Sequence, residues 1–287
     1  MIPAAFDYVR AESIGHAVSA LAEHGDEAKV MAGGQSLLPL MRLRLANPEV
    51  VVDIGWLADL RGVREDGEAL VIGALTTHHE VMNNELVRQH AGLLAETTAM
   101  VADPAVRHRG TFGGSLAHAD PAGDLPAAAL ALGAELVAQG PNGRRSIPAR
   151  EFFVDYLETA LSPDELLIEV RVPKLGSGWG FRYEKLNRVA QAWAIVGVAA
   201  AVRRDDGSIA EARIGLTNMG RTPLRAEAVE QALAGMDASN DAALAVAADR
   251  AAEGTTPPSD LSGQADYRQH LARVLTRRAV RHAAGLS

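Results

Sequence analysis

Apolar residues recur at helical spacing after Ser13, at Ile14, Ala17, Val18 and Leu21, and Gly25 closes that segment. The short stretch Ala28–Met31 reads as a strand and runs straight into Gly33-Gly34-Gln35-Ser36. Helical spacing returns over 37–45 and stops before Pro48, and Val50 to Ile54 is strand-like. Val63-Arg64 and the apolar run 69–72 flank Asp66-Gly67, which predicts a hairpin. Helices are predicted over 77–89 and 93–101, then a glycine-dense loop over 109–124 and an alanine-rich helix over 126–132. Strands are predicted over 135–138 and 166–172.

Pro173-Lys174-Leu175-Gly176-Ser177-Gly178 marks a domain boundary by composition. Beyond it come strands over 180–186, 192–203 and 210–216, with a turn at Asp206-Gly207, and then helices over 224–233, 241–252 and 264–284. The pattern predicts two α+β domains, 1–176 and 177–287, as the 287-residue length also suggests.

Composition narrows the class. The chain is 48% hydrophobic and 22% charged, the mixture of a soluble globular protein. A formal net charge of -8 excludes nucleic acid as the expected partner, because phosphate binding needs a basic face. Arg277, Arg278 and Arg281 form a local basic group on a predicted helix, read as a solvated or subunit-facing surface. Cysteine is absent, so disulfides, zinc–thiolate sites and iron–sulfur ligation within this chain are excluded. The first ten residues lack a basic stretch followed by an apolar core, so no secretory signal is expected. The longest apolar run, 192–202, is shorter than the ~20 residues that span a bilayer and is read as a buried strand. A cytoplasmic protein without a transmembrane segment is expected.

Two segments stand out for chemistry. Ala32-Gly33-Gly34-Gln35-Ser36 lies between a strand and a helix, where glycines let the backbone turn sharply and approach a ligand. Successive free N–H groups ahead of a helix suit phosphate oxygens, and Ser36 adds a hydroxyl. The second segment, Thr111-Phe112-Gly113-Gly114-Ser115, offers another glycine pair flanked by hydroxyls, with Asp120 and Asp124 downstream. Two such loops suit a dinucleotide, whose sugar hydroxyls an acid such as Asp124 would accept from. A tight turn and a ligand-free surface loop are the plain alternatives. The G-x-G-x-x-G and G-x-x-x-x-G-K-[S/T] fingerprints are absent, so a doubly wound NAD domain is not expected.

His118, Asp120 and Asp124 have the composition of a metal site, and Ser115, His118 and Asp120 that of a hydrolase triad. Neither has the spacing or the nucleophile elbow that would support it, and no metal or catalytic residue is expected on this chain. His78-His79-Glu80 is read as a partly exposed helix start. Trp193, in an apolar run, reads first as core packing and only second as a planar platform for a cofactor ring, beside which Lys185 could balance charge.

Taken in order, A-G-G-x-S at Ala32 to Ser36, T-x-G-G-S at Thr111 to Ser115, A-D-P-A-G-D at Ala119 to Asp124 and Y-E-K-L at Tyr183 to Leu186 resemble the medium, FAD-binding subunit of carbon monoxide dehydrogenase and related molybdenum hydroxylases. Phe6-Asp7-Tyr8, Ile214-Gly215-Leu216-Thr217-Asn218 and Tyr267-Arg268 extend the likeness over the whole chain. The resemblance implies an FAD-binding domain of the vanillyl-alcohol-oxidase (PCMH) type, in two α+β subdomains, followed by a carbon monoxide dehydrogenase flavoprotein-type C-terminal α+β domain. It implies FAD here, with molybdopterin on a large partner subunit and [2Fe–2S] clusters on a small one, in a dimer of heterotrimers.

By the same resemblance Ala32, Gly33, Gly34, Gln35, Ser36, Thr111, Phe112, Gly113, Gly114 and Ser115 surround the FAD diphosphate, and Asp124 lies near its sugar hydroxyls. Leu167 and Lys185 match positions that approach the flavin, and Trp193 stands where a relative has tyrosine. The function implied is relay of electrons from the partner's [2Fe–2S] clusters through FAD to an external acceptor. The assembled complex would sit in the cytoplasm or against the inner face of the membrane. The rival readings are a self-sufficient flavoenzyme with its own substrate, a module that binds nothing, and, more distantly, a metal-dependent hydrolase.

Overall fold

The computed structural model describes residues 2–286. Strand β1 (Asp7–Arg10) leads to α1 (Ile14–His24), whose first turn is capped by the Ser13 hydroxyl accepting from the His16 N–H at 3.1 Å. With β2 (Ala28–Met31), α2 (Leu37–Arg42) and β3 (Val50–Asp53) it builds a three-stranded parallel sheet in the order β1-β3-β2. The apolar stripe of α1, Ala17, Val18 and Leu21, packs on Val50, Val52 and Ile54.

β4 (Val63–Asp66) and β5 (Ala69–Gly73) form the hairpin that Asp66-Gly67 predicts. Helices α3 (His78–Asn83), α4 (Glu85–His90), α5 (Gly92–Ala99), α6 (Pro104–Arg107), α7 (Phe112–His118) and α8 (Asp124–Leu132) come next. Then come β6 (Glu135–Gly140), β7 (Gly143–Pro148), α9 (Ala149–Phe152), β8 (Phe153–Asp155), β9 (Glu158–Thr159) and β10 (Leu166–Pro173). An antiparallel sheet runs β4-β5-β10-β6-β7. Leu167, Val170 and Val172 on one face of β10 meet α5 and α8, while Leu166 and Ile168 on the other reach the α1 core.

The remaining chain forms β11 (Trp179–Leu186), β12 (Val196–Asp205), β13 (Ser208–Thr217), β14 (Leu224–Arg225), α10 (Glu227–Leu233), α11 (Asp241–Asp249) and α12 (Ala265–Ala283). Its four strands pair antiparallel in chain order. One face buries Val198, Val202 and Ile214 against Leu271, Leu275 and Ala279 of α12. The other turns Tyr183, Ala199 and Ala201 into the core shared with α8. That approach is close: a Cβ on Gly215 would lie 2.2 Å from the Ala127 carbonyl oxygen. Helix α8 is buried along its whole length, which places its first residue, Asp124, between the two halves.

The α+β expectation is met, with local departures, among them strands β7 to β9, which the pattern does not predict, and the start of the helix predicted over 224–233, which opens as β14. The helix predicted over 77–89 breaks at Asn84, whose side chain accepts from the Leu86 N–H at 3.0 Å and starts a new helix. The loop predicted over 109–124 contains α7, because Thr111 extends its backbone and caps the helix that starts at Phe112. The strand predicted from 192 begins at Val196, leaving Ala192 and Trp193 in the preceding loop. Arg277 and Arg281 both pair with Asp241, tying α12 to the start of α11. No helix among the described residues is long and apolar enough to cross a membrane.

Candidate functional site

The turn between β2 and α2 is shaped by its glycines. Gly34 takes φ of +71°, a conformation costly for other residues. Gly33 lies so close to the 109–110 backbone that an added Cβ would sit 2.0 Å from the Arg109 carbonyl oxygen. The backbone N–H groups of Gly33, Gly34, Gln35 and Ser36 have no acceptor among the described residues. Four successive free donors ahead of a helix form a concave site for an anion.

The second glycine pair is built differently, and this corrects the expectation of two equivalent sets of free amides. The Phe112 N–H donates to the Thr76 carbonyl at 2.9 Å and the Gly113 N–H to the Ala74 carbonyl at 2.9 Å. The Gly114 N–H faces the Thr111 hydroxyl at 3.3 Å, and the Ser115 N–H donates to the Thr111 carbonyl at 3.0 Å. These glycines serve packing: a Cβ on Gly113 would meet the Ala74 Cβ at 2.5 Å, and one on Gly114 would come 3.8 Å from the Ala32 Cβ. Lacking side chains, they let the two turns lie against each other. The Phe112 ring is fully buried in the core, away from the cavity.

Between these turns opens a cavity of about 480 Å³. Its wall includes Ala32, Gly33, Gly34, Gln35, Ser36, Thr111, Gly113, Gly114, Ser115, Asp124, Leu167, Lys185 and Trp193. Every candidate from the sequence except Phe112 therefore reaches one space, although they span residues 32–193. The wall also includes residues that sequence reasoning did not single out, among them Val30, Ile54, Val101, Leu166 and Gln191. These are ordinary apolar or amide side chains, with no local signal to separate them from core. Ala102 belongs to this wall with φ of 43°, a left-handed state costing roughly 1–2 kcal/mol for a residue bearing a Cβ.

One end of the cavity is an ionic cluster. Lys185 on β11 donates through Nζ to Asp124 Oδ2 at 2.8 Å and to the Met100 carbonyl at 3.1 Å. Its side chain is 1% exposed and that of Asp124 is 4% exposed. The Tyr183 hydroxyl donates to Asp124 Oδ1 at 2.7 Å. Burial pushes the Asp124 carboxyl above its ordinary range against the pull of Lys185 and Tyr183. Burial, together with the Asp124 carboxylate, raises the Tyr183 phenol well above its usual value, so it stays a donor. Asp124 thus spends one lone pair of each oxygen on anchoring Lys185 and Tyr183.

Above this cluster the 187–195 loop carries Gln191, which hydrogen-bonds Asp103, and Trp193, 53% exposed. The Trp193 and His118 rings lie 6.3 Å apart, centre to centre. His118 Nε2 is 3.9 Å from Asp120 Oδ2, and burial lowers the His118 pKa. Ser115 makes no hydrogen bond to His118, and no group of three or more His, Asp or Glu able to hold a metal occurs among the described residues. His78, read from sequence as a partly exposed helix start, is instead buried in the cavity wall. The site offers main-chain donors at one end, a fixed buried cation at the other and aliphatic walls between.

Comparison with known proteins gives this arrangement its context. A family model described as the FAD binding domain in molybdopterin dehydrogenase matches residues 4–175. One described as the CO dehydrogenase flavoprotein C-terminal domain matches residues 181–283. The chain is 42% identical to the carbon monoxide dehydrogenase medium chain of Hydrogenophaga pseudoflava, over 99% of this chain and 98% of that one. It is 39% identical to the 6-hydroxypseudooxynicotine dehydrogenase complex subunit alpha of Paenarthrobacter nicotinovorans, over 99% and 96% of the two chains. A solved structure of carbon monoxide dehydrogenase from Hydrogenophaga pseudoflava, in a form lacking the Mo-pyranopterin moiety, matches with a TM-score of 0.96 at 44% identity, covering 99% of each chain.

Proposed function

Because the chain belongs to the FAD-binding medium subunits of carbon monoxide dehydrogenase and related molybdenum hydroxylases, we propose that it holds FAD between the two glycine turns and the Asp124–Lys185 pair, to pass electrons from a partner subunit to an external acceptor. The observation that carries the placement is the row of unsatisfied amides at Gly33, Gly34, Gln35 and Ser36, facing a cavity that ends on a buried lysine. A diphosphate satisfies the amides. Ser115 and Thr111 add hydroxyls beside it, and Leu167 supplies an aliphatic wall. The fixed charge of Lys185 suits an electron-rich ring, over which Trp193 stands as a planar neighbour.

When bound, FAD supplies the redox chemistry, accepting electrons singly or in pairs. This chain's own residues bind the cofactor, orient it and keep water from one end. Asp124 and Tyr183 fix the Lys185 ammonium in place, and no side chain is assigned as acid, base or nucleophile. The first domain, 1–176, holds the nucleotide, and the second, 177–287, closes over it with β11 and the 187–195 loop. The electrons come from [2Fe–2S] clusters on a small subunit, themselves served by a large molybdopterin subunit, in a cytoplasmic dimer of heterotrimers. The substrate is chosen in the large subunit, in keeping with relatives named for substrates as unlike as carbon monoxide and 6-hydroxypseudooxynicotine.

The test is flavin occupancy of the complex purified through a tag on this chain. Wild type is expected to show flavin absorbance bands and to bring down one larger and one smaller chain. Gly34→Val and Gly114→Val are expected to lose the bands. Unchanged occupancy in both variants rejects the placement, and purification of this chain alone rejects the assembly.

A further inference from the structure

His78 opens α3 directly after its cap Thr77, and its backbone N–H donates to the Gly110 carbonyl at 3.0 Å. The side chain is 4% exposed and lines the cavity beside Val106, Gly110 and Thr111. Nδ1 is fully buried and has no hydrogen-bond partner among the described residues. A buried polar atom without a partner is rare and asks what compensates it. The ring is also tightly packed: a Cβ on Gly110 would lie 2.8 Å from its Cδ2 and 3.0 Å from its Nε2. The Nε2 edge therefore faces Gly110, which itself lines the cavity one residue before the Thr111 turn.

The protonation state is set by these surroundings. Burial, with a smaller contribution from the Arg107 guanidinium, lowers the pKa to about 4, so the ring is neutral at pH 7. A neutral imidazole has one proton to place. An orphaned buried N–H is rarer in folded proteins than an acceptor with a spare lone pair. Leaving the lone pair on the sealed Nδ1 puts the proton on Nε2, at the cavity edge.

We infer that His78 is a further FAD-binding residue, donating a hydrogen bond from Nε2 to an oxygen of the dinucleotide where it passes between the two glycine turns. The inference rests on the FAD placement proposed above. It assigns to His78 a donor that adds no charge and does not titrate near neutral pH. It also gives Gly110 a reason to be glycine, since any side chain there would displace the ring.

The experiment uses the assembled complex, stripped of flavin and titrated with FAD while flavin fluorescence is monitored. Wild type, His78→Gln and His78→Leu are compared, and the thermal midpoint of each stripped complex is recorded. Gln carries an amide N–H close to the Nε2 position, whereas Leu has no donor. The expected result is an FAD dissociation constant raised roughly tenfold or more in H78L, for a hydrogen bond to a charged acceptor. H78Q should stay near wild type. Equal affinity in wild type and H78L overturns the inference while leaving the FAD placement standing. So does equal weakening in H78L and H78Q that tracks a matching fall in their thermal midpoints. A wild-type complex that takes up no FAD overturns the placement itself.

Discussion

Replacing Lys185 with methionine tests the ionic cluster by a route that needs no cofactor. The substitution keeps most of the side-chain length and removes the ammonium, leaving the buried Asp124 carboxylate with the Tyr183 hydroxyl as its remaining side-chain partner. Breaking a buried ion pair by deleting one partner costs roughly 3–5 kcal/mol, because the other charge stays buried. The carboxyl can escape by taking up a proton. From its ordinary pKa of 3.8, protonation at pH 7 costs about 1.36 × 3.2, or about 4.4 kcal/mol, and at pH 5 only about 1.6 kcal/mol.

Proton counting gives the sign. In the variant the folded state binds a proton that the unfolded state releases above pH 3.8, so stability falls as pH rises. The penalty should therefore be about 3–4 kcal/mol at pH 7 and shrink by about 2–3 kcal/mol on going to pH 5. Urea unfolding of wild type, K185M and the Asp124→Asn/Lys185→Met double variant at pH 5, 6 and 7 measures it. The double variant should recover most of the loss and show little of the extra pH dependence. A penalty equal at pH 5 and pH 7, or a double variant worse than K185M, would refute the claim that an unpaired Asp124 charge is what hurts.

Three further predictions concern separate parts of the molecule. Gly33→Ala should cut FAD occupancy at least tenfold with an unchanged far-ultraviolet circular dichroism spectrum, because the new methyl meets the Arg109 carbonyl oxygen at 2.0 Å and the two turns must part. Trp193→Ala should leave the urea midpoint nearly unchanged, as surface substitutions usually do, yet weaken FAD binding measurably by fluorescence titration. Arg268 is fully buried and donates to both oxygens of Asp260 at 2.7 and 2.8 Å and to the Ile195 carbonyl. Arg268→Ala should destabilise the fold by roughly 3–5 kcal/mol in chemical unfolding, through the cavity left by a large buried side chain and the unpaired Ile195 carbonyl, and Asp260→Asn by less, since Asp260 is half exposed and Arg268 keeps its bond to Ile195.

Much of this site was legible because its residues break the pattern around them. A glycine pair between a strand and a helix, a second pair flanked by hydroxyls and an acid opening an alanine-rich helix each carry their own local signal, whereas Lys185 shares its strand with Arg182 and Glu184 and is marked out only by the Y-E-K-L pattern. Their convergence was legible only through family resemblance, since Lys185 lies 61 residues from Asp124 along the chain. The misreadings have local physical causes. Glycine and hydroxyl residues signal turns, so 112–118 read as loop; capping by Thr111 and packing of Gly113 on Ala74 outweigh that propensity and make a helix. Phe112 was swept into the site by its neighbours, but a helix sends adjacent side chains in different directions, and this one faces the core. Strand β7 is GRRSIP, mostly exposed, with no apolar alternation to betray it. His78 looked exposed because its neighbours His79 and Glu80 are; its burial depends on Gly110, far along the chain.

The free donors at Gly33, Gly34, Gln35 and Ser36 belong to peptide units, not to side chains. Nineteen of the twenty amino acids would present the same N–H at position 35, and proline alone would erase it. A grip on an anion there would be written in dihedral angles, so a survey that ranks positions by side-chain chemistry would pass over this row of free donors.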